Sequence, residues 1–251
     1  MLSKYKAVFF DVGGTLLRVH PSVGEVYAAH ARRYGFAGSA GDVDNQFRRQ
    51  WKAVGGIESL GNQRGTEIEK KFWRDLVFRV FQPFGGLDNF EDYFNHIYEE
   101  FRTKSCWRVY EDVSDSEIFN RLKTRGVVLG VISNWDSRLP ETLKAMGLAR
   151  HFKFILVSTV VGSAKPDPRI FQEALRRSGV KANEACHIGD EPHTDISGAR
   201  NAGIDAILID RQGRHGNQVS PTVQSFTQLV QPAPQGVSQR ERNYSGKRTL
   251  S

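Results

Sequence analysis

The chain has 251 residues, 39% of them hydrophobic and 25% charged, with a mean hydropathy of −0.46 and a formal charge of +7. This length suits one large domain, or one large and one small, and the composition excludes a wholly disordered chain. The longest apolar runs stop far short of the roughly 20 residues that a membrane span requires.

The charge raises the question of nucleic acid. Residues 238–251 alone supply +3 of it, and the remaining +4 is scattered. Neither a nucleic-acid nor a membrane partner is therefore expected. No signal-length apolar core follows the first six residues, so a cytoplasmic location is expected. Cys106 and Cys186 lack metal-site spacing and read as reduced thiols.

In chain order, the first element is a short apolar run at 7–10, ending in Asp11-Val12-Gly13-Gly14-Thr15. Short apolar runs bounded by turn residues suit the buried strands of a parallel sheet. Residues 20–108 change character and read as helices. Apolar residues recur at three- and four-residue steps over 23–34, 67–81 and 94–101. Four more strand-like runs follow, at 127–132, 154–158, 185–188 and 206–209. Helical stretches at 116–123, 139–146, 168–177 and 196–202 alternate with them. Asp167 and Pro168 are an N-cap and a first helical residue.

The alternation predicts an α/β fold, a doubly wound parallel sheet with a helical domain inserted after the first strand. The expected boundaries are a core of 1–19 plus 109–212, an insert of 20–108, and a mostly disordered tail of 213–251. A short helix is expected around 223–230.

Open parallel sheets bind ligands just beyond the carboxyl ends of their strands. The first strand delivers Asp11 there. The second delivers Ser133 and Asn134. The third leads to Lys165, and the fourth delivers Asp190, with Asp195 five residues on. Each alone reads as an ordinary turn or cap residue. Together they gather carboxylates, a hydroxyl and a lysine on one rim.

In that order these segments resemble the four signatures of the haloacid dehalogenase-like hydrolase superfamily. They are Asp11–Thr15, then Val131-Ile132-Ser133-Asn134, then Ala164-Lys165-Pro166-Asp167-Pro168, and last Gly189 to Asp195 continuing to Gly203. The insert lies where subfamily I members carry a helical cap. The resemblance implies a Rossmann-like core and a small phosphorylated substrate. It implies Mg²⁺ held by Asp11, the Gly13 carbonyl, Asp190 and Asp195, since Mg²⁺ is a hard cation that takes oxygen ligands. Asp11, Lys165 and Ser133 would be catalytic, with Asp11 the nucleophile that becomes an aspartyl-phosphate. Gly14, Thr15 and Asn134 would shape the phosphate site.

One position departs from the pattern. Phosphatases of the superfamily carry a second Asp two residues after the nucleophile, and Gly13 stands there. General acid–base help is typically worth about 10²–10⁴ in rate, so weak turnover is one expectation. Glu191, His193 and Asp136 are the candidate substitutes. The alternative is a catalytically degenerate member that binds a phosphorylated ligand or a protein partner. Dehalogenation needs no metal, and the retained Gly189-Asp190 argues against it. Schiff-base chemistry at Lys52 has no supporting motif, and that lysine reads as a surface charge. His187 reads as packing, and Trp135-Asp136 as lining the substrate entrance. Oligomeric state is not legible.

Overall fold

The computed structural model describes residues 1–216 and 221–230. The elements run β1 (Ala7–Phe10), β2 (Leu17–Val19), α1 (Val23–Ala31), α2 (Ala40–Val54), α3 (Thr66–Phe81), α4 (Phe90–Glu100), β3 (Trp107–Val109), α5 (Glu111–Asp115) and α6 (Ile118–Lys123). They continue with β4 (Val128–Ser133), α7 (Leu139–Ala145), β5 (Phe154–Val157), α8 (Ser158–Val161), α9 (Pro168–Ser178), β6 (Ala185–Gly189), α10 (Gly198–Asn201), β7 (Asp205–Ile209), β8 (Thr222–Val223) and α11 (Phe226–Val230).

Six strands form one parallel sheet in the order β5-β4-β1-β6-β7-β8. β1 is flanked on both sides and buried throughout, which is why Ala-Val-Phe-Phe shows no polar alternation. Its two faces still divide. Val8 and Phe10 pack with Phe119, Leu122 and Phe226 of α6 and α11. Ala7 and Phe9 pack with Ile170, Phe171 and Ala174 of α9. From β1 the chain builds outward through β4 and β5, then returns to β6 and builds the other way. The order reverses at β1, so the crevice beyond the ends of β1, β4 and β6 is the place a doubly wound sheet offers a ligand.

Helices α1–α4 lie between β2 and β3, which pair antiparallel with Leu17 opposite Val109 and Val19 opposite Trp107. This two-strand ribbon carries the chain out of the core and back. Ser22 and Ser39 cap α1 and α2 by accepting from the N–H groups of Glu25 and Asp42. α1 crosses α2 at Gly24, where a Cβ would sit 2.1 Å from the Ala40 carbonyl, so only glycine permits the approach.

The differences from the sequence reading are local. The ribbon and α2 were not anticipated. Three-residue strands carry no measurable period, and the apolar stripe of α2 is narrow (Val43, Phe47, Trp51). The helix expected at 116–123 is α6, which starts at Ile118 after Glu117 (φ 49°), and the short α5 ahead of it was not anticipated. Ser133 is the last residue of β4 instead of the first beyond it, and Ser158 begins α8 instead of ending β5. β8 adds a sixth strand that the sequence reading lacks. Of the tail expected at 213–251, residues 217–220 and 231–251 lie outside the described residues, while 221–230 carry β8 and the short helix α11. Cys106 and Cys186 are both buried free thiols. No described helix is long and apolar enough to cross a membrane.

Candidate active site

Asp11 leaves β1 with its N–H still donating to Ile188 of β6 (2.9 Å), so the sheet's own ladder sets its position. The chain then turns tightly. The Val12 carbonyl accepts from Leu16 and Leu17, both at 2.8 Å. Gly14 takes φ = 77°, and a Cβ there would lie 2.2 Å from Oδ2 of Asp190. A side chain at this position would collide with a carboxylate of the site. Thr15 donates to Oδ1 of Asp190 at 3.2 Å, joining the β1 and β6 loops.

Lys165 is the centre of the charge arrangement. It is only 2% exposed, and its Nζ lies 2.6 Å from Asp11 Oδ1 and 2.5 Å from Asp195 Oδ1. Ser133 donates to the same oxygen of Asp11 at 2.9 Å. Asn134 uses both ends of its amide on the Lys165 backbone, donating to its carbonyl (2.9 Å) and accepting from its N–H (2.8 Å). It thereby clamps the lysine loop to the end of β4. Asp195 also pairs with His187 Nε2 at 2.9 Å and accepts from the Glu191 N–H at 3.1 Å. His187 is fully buried with its ring edge-on to Phe171, so it packs and also orients a carboxylate of the site.

Electrostatics follow from this geometry. Burial works against charge on Lys165, but Asp11 and Asp195 overcome it and hold the ammonium protonated. Burial likewise opposes charge on Asp195, where Lys165 and His187 win and keep the carboxylate ionised. Asp11 is raised: burial and the nearby Asp195 outweigh the pull of Lys165. Asp190 has no cation of its own, and burial with the charges of Asp11 and Asp195 pushes it up to about 8. The carboxylates of Asp11, Asp190 and Asp195 offer ligand oxygens within 4.8 Å of one another. Three carboxylates against one ammonium leave an excess of negative charge that a hard divalent cation would neutralise, and the all-oxygen donor set suits Mg²⁺.

Two features were missed in the sequence. Arg211, just past β7, donates to the carbonyls of Gly14 and Thr15, both at 2.8 Å, and is held in turn by Asp112 at 3.0 Å. It braces the loop that carries the glycines. The strand-end rule, extended to β7, would have pointed to it. The second is how the insert is fastened. Glu69 of α3 accepts from the Ser137 N–H (3.1 Å), the Ser137 hydroxyl (2.5 Å) and the Thr159 hydroxyl. Asp136 accepts from the indole N–H of Trp73 (2.6 Å) and pairs with Arg138 (2.7 Å). Asp136 is thus fully buried and engaged in fastening. His193 is exposed, and Glu191 borders the cavity.

That cavity, about 940 Å³, lies between the strand ends and the insert. Asp11, Gly13, Gly14, Ser133, Asn134, Lys165, Asp190 and Asp195 all line it. So do Lys52 and Glu58 from the insert. Burial raises the Glu58 carboxyl above its ordinary range. Thr15 stands just behind the lining.

A buried ammonium gripped by carboxylates at the reversal point of a parallel sheet defines a class of hydrolytic site, and comparison with known proteins agrees. The model of the haloacid dehalogenase-like hydrolase family matches residues 5–203. The chain belongs to that family. It is 34% identical over 203 residues to mouse haloacid dehalogenase-like hydrolase domain-containing protein 3, covering 80% of each chain. It is 44% identical over 158 residues to a phosphoserine phosphatase of Thermus thermophilus, covering 62% of this chain and 59% of that one. Among solved structures, a dehalogenase superposes with a TM-score of 0.70 at 24% identity, covering 91% of this chain and 97% of that one, which speaks to the fold.

Proposed function

We propose that this protein is a Mg²⁺-dependent phosphohydrolase that works through an aspartyl-phosphate on Asp11. The observation that carries this is the shared oxygen Oδ1 of Asp11, which takes hydrogen bonds from both Lys165 (2.6 Å) and Ser133 (2.9 Å). Two donors fix the carboxylate plane, while Oδ2 accepts no hydrogen bond from a described residue. A carboxylate so held can meet phosphorus without first searching for its orientation.

Asp11, Asp190, Asp195 and the Gly13 carbonyl would hold Mg²⁺. Bound there, the ion would offset the repulsion between a carboxylate and a phosphate dianion. Lys165 contributes fixed positive charge beside the attacking group, and Ser133 a donor for a phosphate oxygen. Asn134 positions Lys165 through its backbone. Thr15 and Gly14 keep Asp190 close to the loop, and Arg211 stiffens that loop from behind. On this reading residues 20–108 act as a cap over a core of 1–19 and 109–212, and the substrate is a small phosphorylated molecule enclosed between them.

A second reading is favoured by Gly13. It brings no proton donor, and a Cβ there would lie 3.3 Å from the Trp135 ring. On that reading the cavity binds a phosphorylated ligand with little turnover. A phosphate-release assay with and without Mg²⁺ separates the two. Mg²⁺-dependent release that falls by about 10⁴-fold or more in Asp11→Asn supports the hydrolase. Ligand binding with no release in either protein supports the alternative.

A further inference from the structure

All four tryptophans of the chain, Trp51, Trp73, Trp107 and Trp135, line the cavity that contains Asp11. They arrive from α2, α3, β3 and the loop after β4, so no single element's packing accounts for their meeting. Trp51 lies on Trp73 with ring centres 5.6 Å apart and planes at 24°. Trp107 meets Trp135 at 5.0 Å. The polar ends of two of them point into protein: Trp73 donates to Asp136 (2.6 Å) and Trp107 to the Phe101 carbonyl (3.0 Å). With those two N–H groups engaged, Trp73 and Trp107 contribute apolar ring carbon to the cavity wall. Trp51, Trp73 and Trp135 are only partly buried, so part of that surface is left uncovered by protein.

Trp135 lies against the loop that follows Asp11. Its Cζ3 is 3.3 Å from where a Cβ of residue 13 would be, two residues from Asp11. An indole edge therefore occupies the space beside the nucleophile. A phosphate ester at Asp11 would share one cavity with these rings, and aromatic pairs gain from stacked or edge-on contact beyond simple burial.

We propose that the substrate is a small aryl phosphate monoester, with the phosphate on a phenolic oxygen and the ring held among these indoles. The inference rests on the phosphohydrolase reading above. It also suits the chemistry of a site without a donor at position 13. A phenolic oxygen has a pKa of about 10, so it departs as an anion where an alkoxide requires a proton in the transition state. In the first step a bond forms between Asp11 and phosphorus, and the phosphorus–aryl oxygen bond breaks with its electron pair leaving on the aryl oxide. The aryl oxide then takes a proton from solvent. In the second step water adds to phosphorus and the Asp11–phosphorus bond breaks; one proton of that water goes to solvent, replacing the one the aryl oxide took, and hydrogen phosphate leaves with the other. The sum is ester plus water giving phenol and phosphate. A cavity of about 940 Å³ is the size of a small-molecule site.

The test compares phenyl and 2-naphthyl phosphate with cyclohexyl phosphate and glycerol phosphate on the Mg²⁺-loaded protein. The expected result is an aryl preference in kcat/KM of about 100-fold or more. It should shrink about tenfold in Trp135→Leu, a ratio that general damage to the fold would not move. Equal rates on aryl and alkyl esters would overturn the substrate class and leave the phosphohydrolase reading standing. A phosphotyrosyl peptide outrunning phenyl phosphate would overturn the small-molecule assignment.

Turnover of no ester at all would overturn the phosphohydrolase reading. Tryptophan fluorescence then judges the ring site by itself, since phenylphosphonate cannot be hydrolysed. Quenching by phenylphosphonate at concentrations where methylphosphonate has no effect supports it. Identical titrations overturn it.

Discussion

Asp11, Ser133, Lys165 and Asp195 come from strand ends and meet through hydrogen bonds of 2.5–2.9 Å between residues up to 154 positions apart. Lining the same cavity, Phe47, Trp51, Trp73 and Phe94 come from three helices of the insert and contribute aromatic rings. The first wall is charged and over-determined. Every group in it is oriented by another, and moving one leaves a buried charge unmatched. The second wall is apolar and depends on shape. On the proposed function, the contrast teaches that the capacity to attack phosphorus and the choice of what phosphorus is attached to are built from separate parts of the chain. The fastenings join Glu69 and Trp73 of α3 in the insert to Ser137, Thr159 and Asp136 beside the cavity.

If that division holds, substitutions in the two walls should differ in kind. The largest effect is expected for Lys165→Met. It strands Asp11 and Asp195 in a buried site, which should destabilise the fold by about 3–5 kcal/mol and remove turnover of every substrate alike. Urea unfolding with and without Mg²⁺ checks the first part, and added Mg²⁺ should restore some of the lost stability.

Gly14→Ala is next. Its Cβ would sit against Asp190 at a φ of 77°. The Mg²⁺ concentration for half-maximal activity should rise about 10–100-fold, with KM for the ester nearly constant.

Trp73→Phe keeps a ring but deletes the indole N–H donated to Asp136. A loss of about 1 kcal/mol in stability is expected, with KM rising more than kcat falls. An equal fall of kcat on all substrates would break the comparison.

The smallest effect concerns pH in the insert. His30 of α1 faces His96 of α4, with ring nitrogens 3.0 Å apart. Burial and His96 lower the His30 pKa below 6.5. The unfolded chain then takes up that proton first on acidification. The stability this group contributes is complete above pH 6.5 and is lost as pH falls toward the lowered value. Thermal melts at pH 7.5 and 5 should show a drop that His96→Phe reduces.

Much of the charged wall was legible in the sequence for a physical reason. A parallel strand delivers whatever follows it to one rim, so Asp11, Ser133, Lys165 and Asp190 could be gathered by reading strand ends alone. The fastenings were not legible. Asp136 looked like a candidate acid because it follows Ser133 closely, but its partners Trp73 and Arg138 are 63 and 2 residues away, and only the folded chain joins them. Glu69 carries no sequence signal that sets it apart from the other charges of its helix, and its partners Ser137 and Thr159 are 68 and 90 residues away. Trp135 read as lining the substrate entrance, but the spacing of Trp51, Trp73 and Trp107 in the sequence carries no sign that they share its cavity. Ribbon strands of three residues and the two-residue β8 are too short for any pattern to declare them.

Everything proposed for the charged wall depends on phosphorus becoming bonded to one carboxylate. Mixing the Mg²⁺-loaded protein with phenyl phosphate, quenching in acid within milliseconds and weighing the proteolytic fragments tests this directly. The account predicts the added mass of one phosphoryl group on the fragment carrying Asp11, absent after chase and absent in Asp11→Asn. Turnover that proceeds with no such adduct, or that survives in Asp11→Asn, would contradict it.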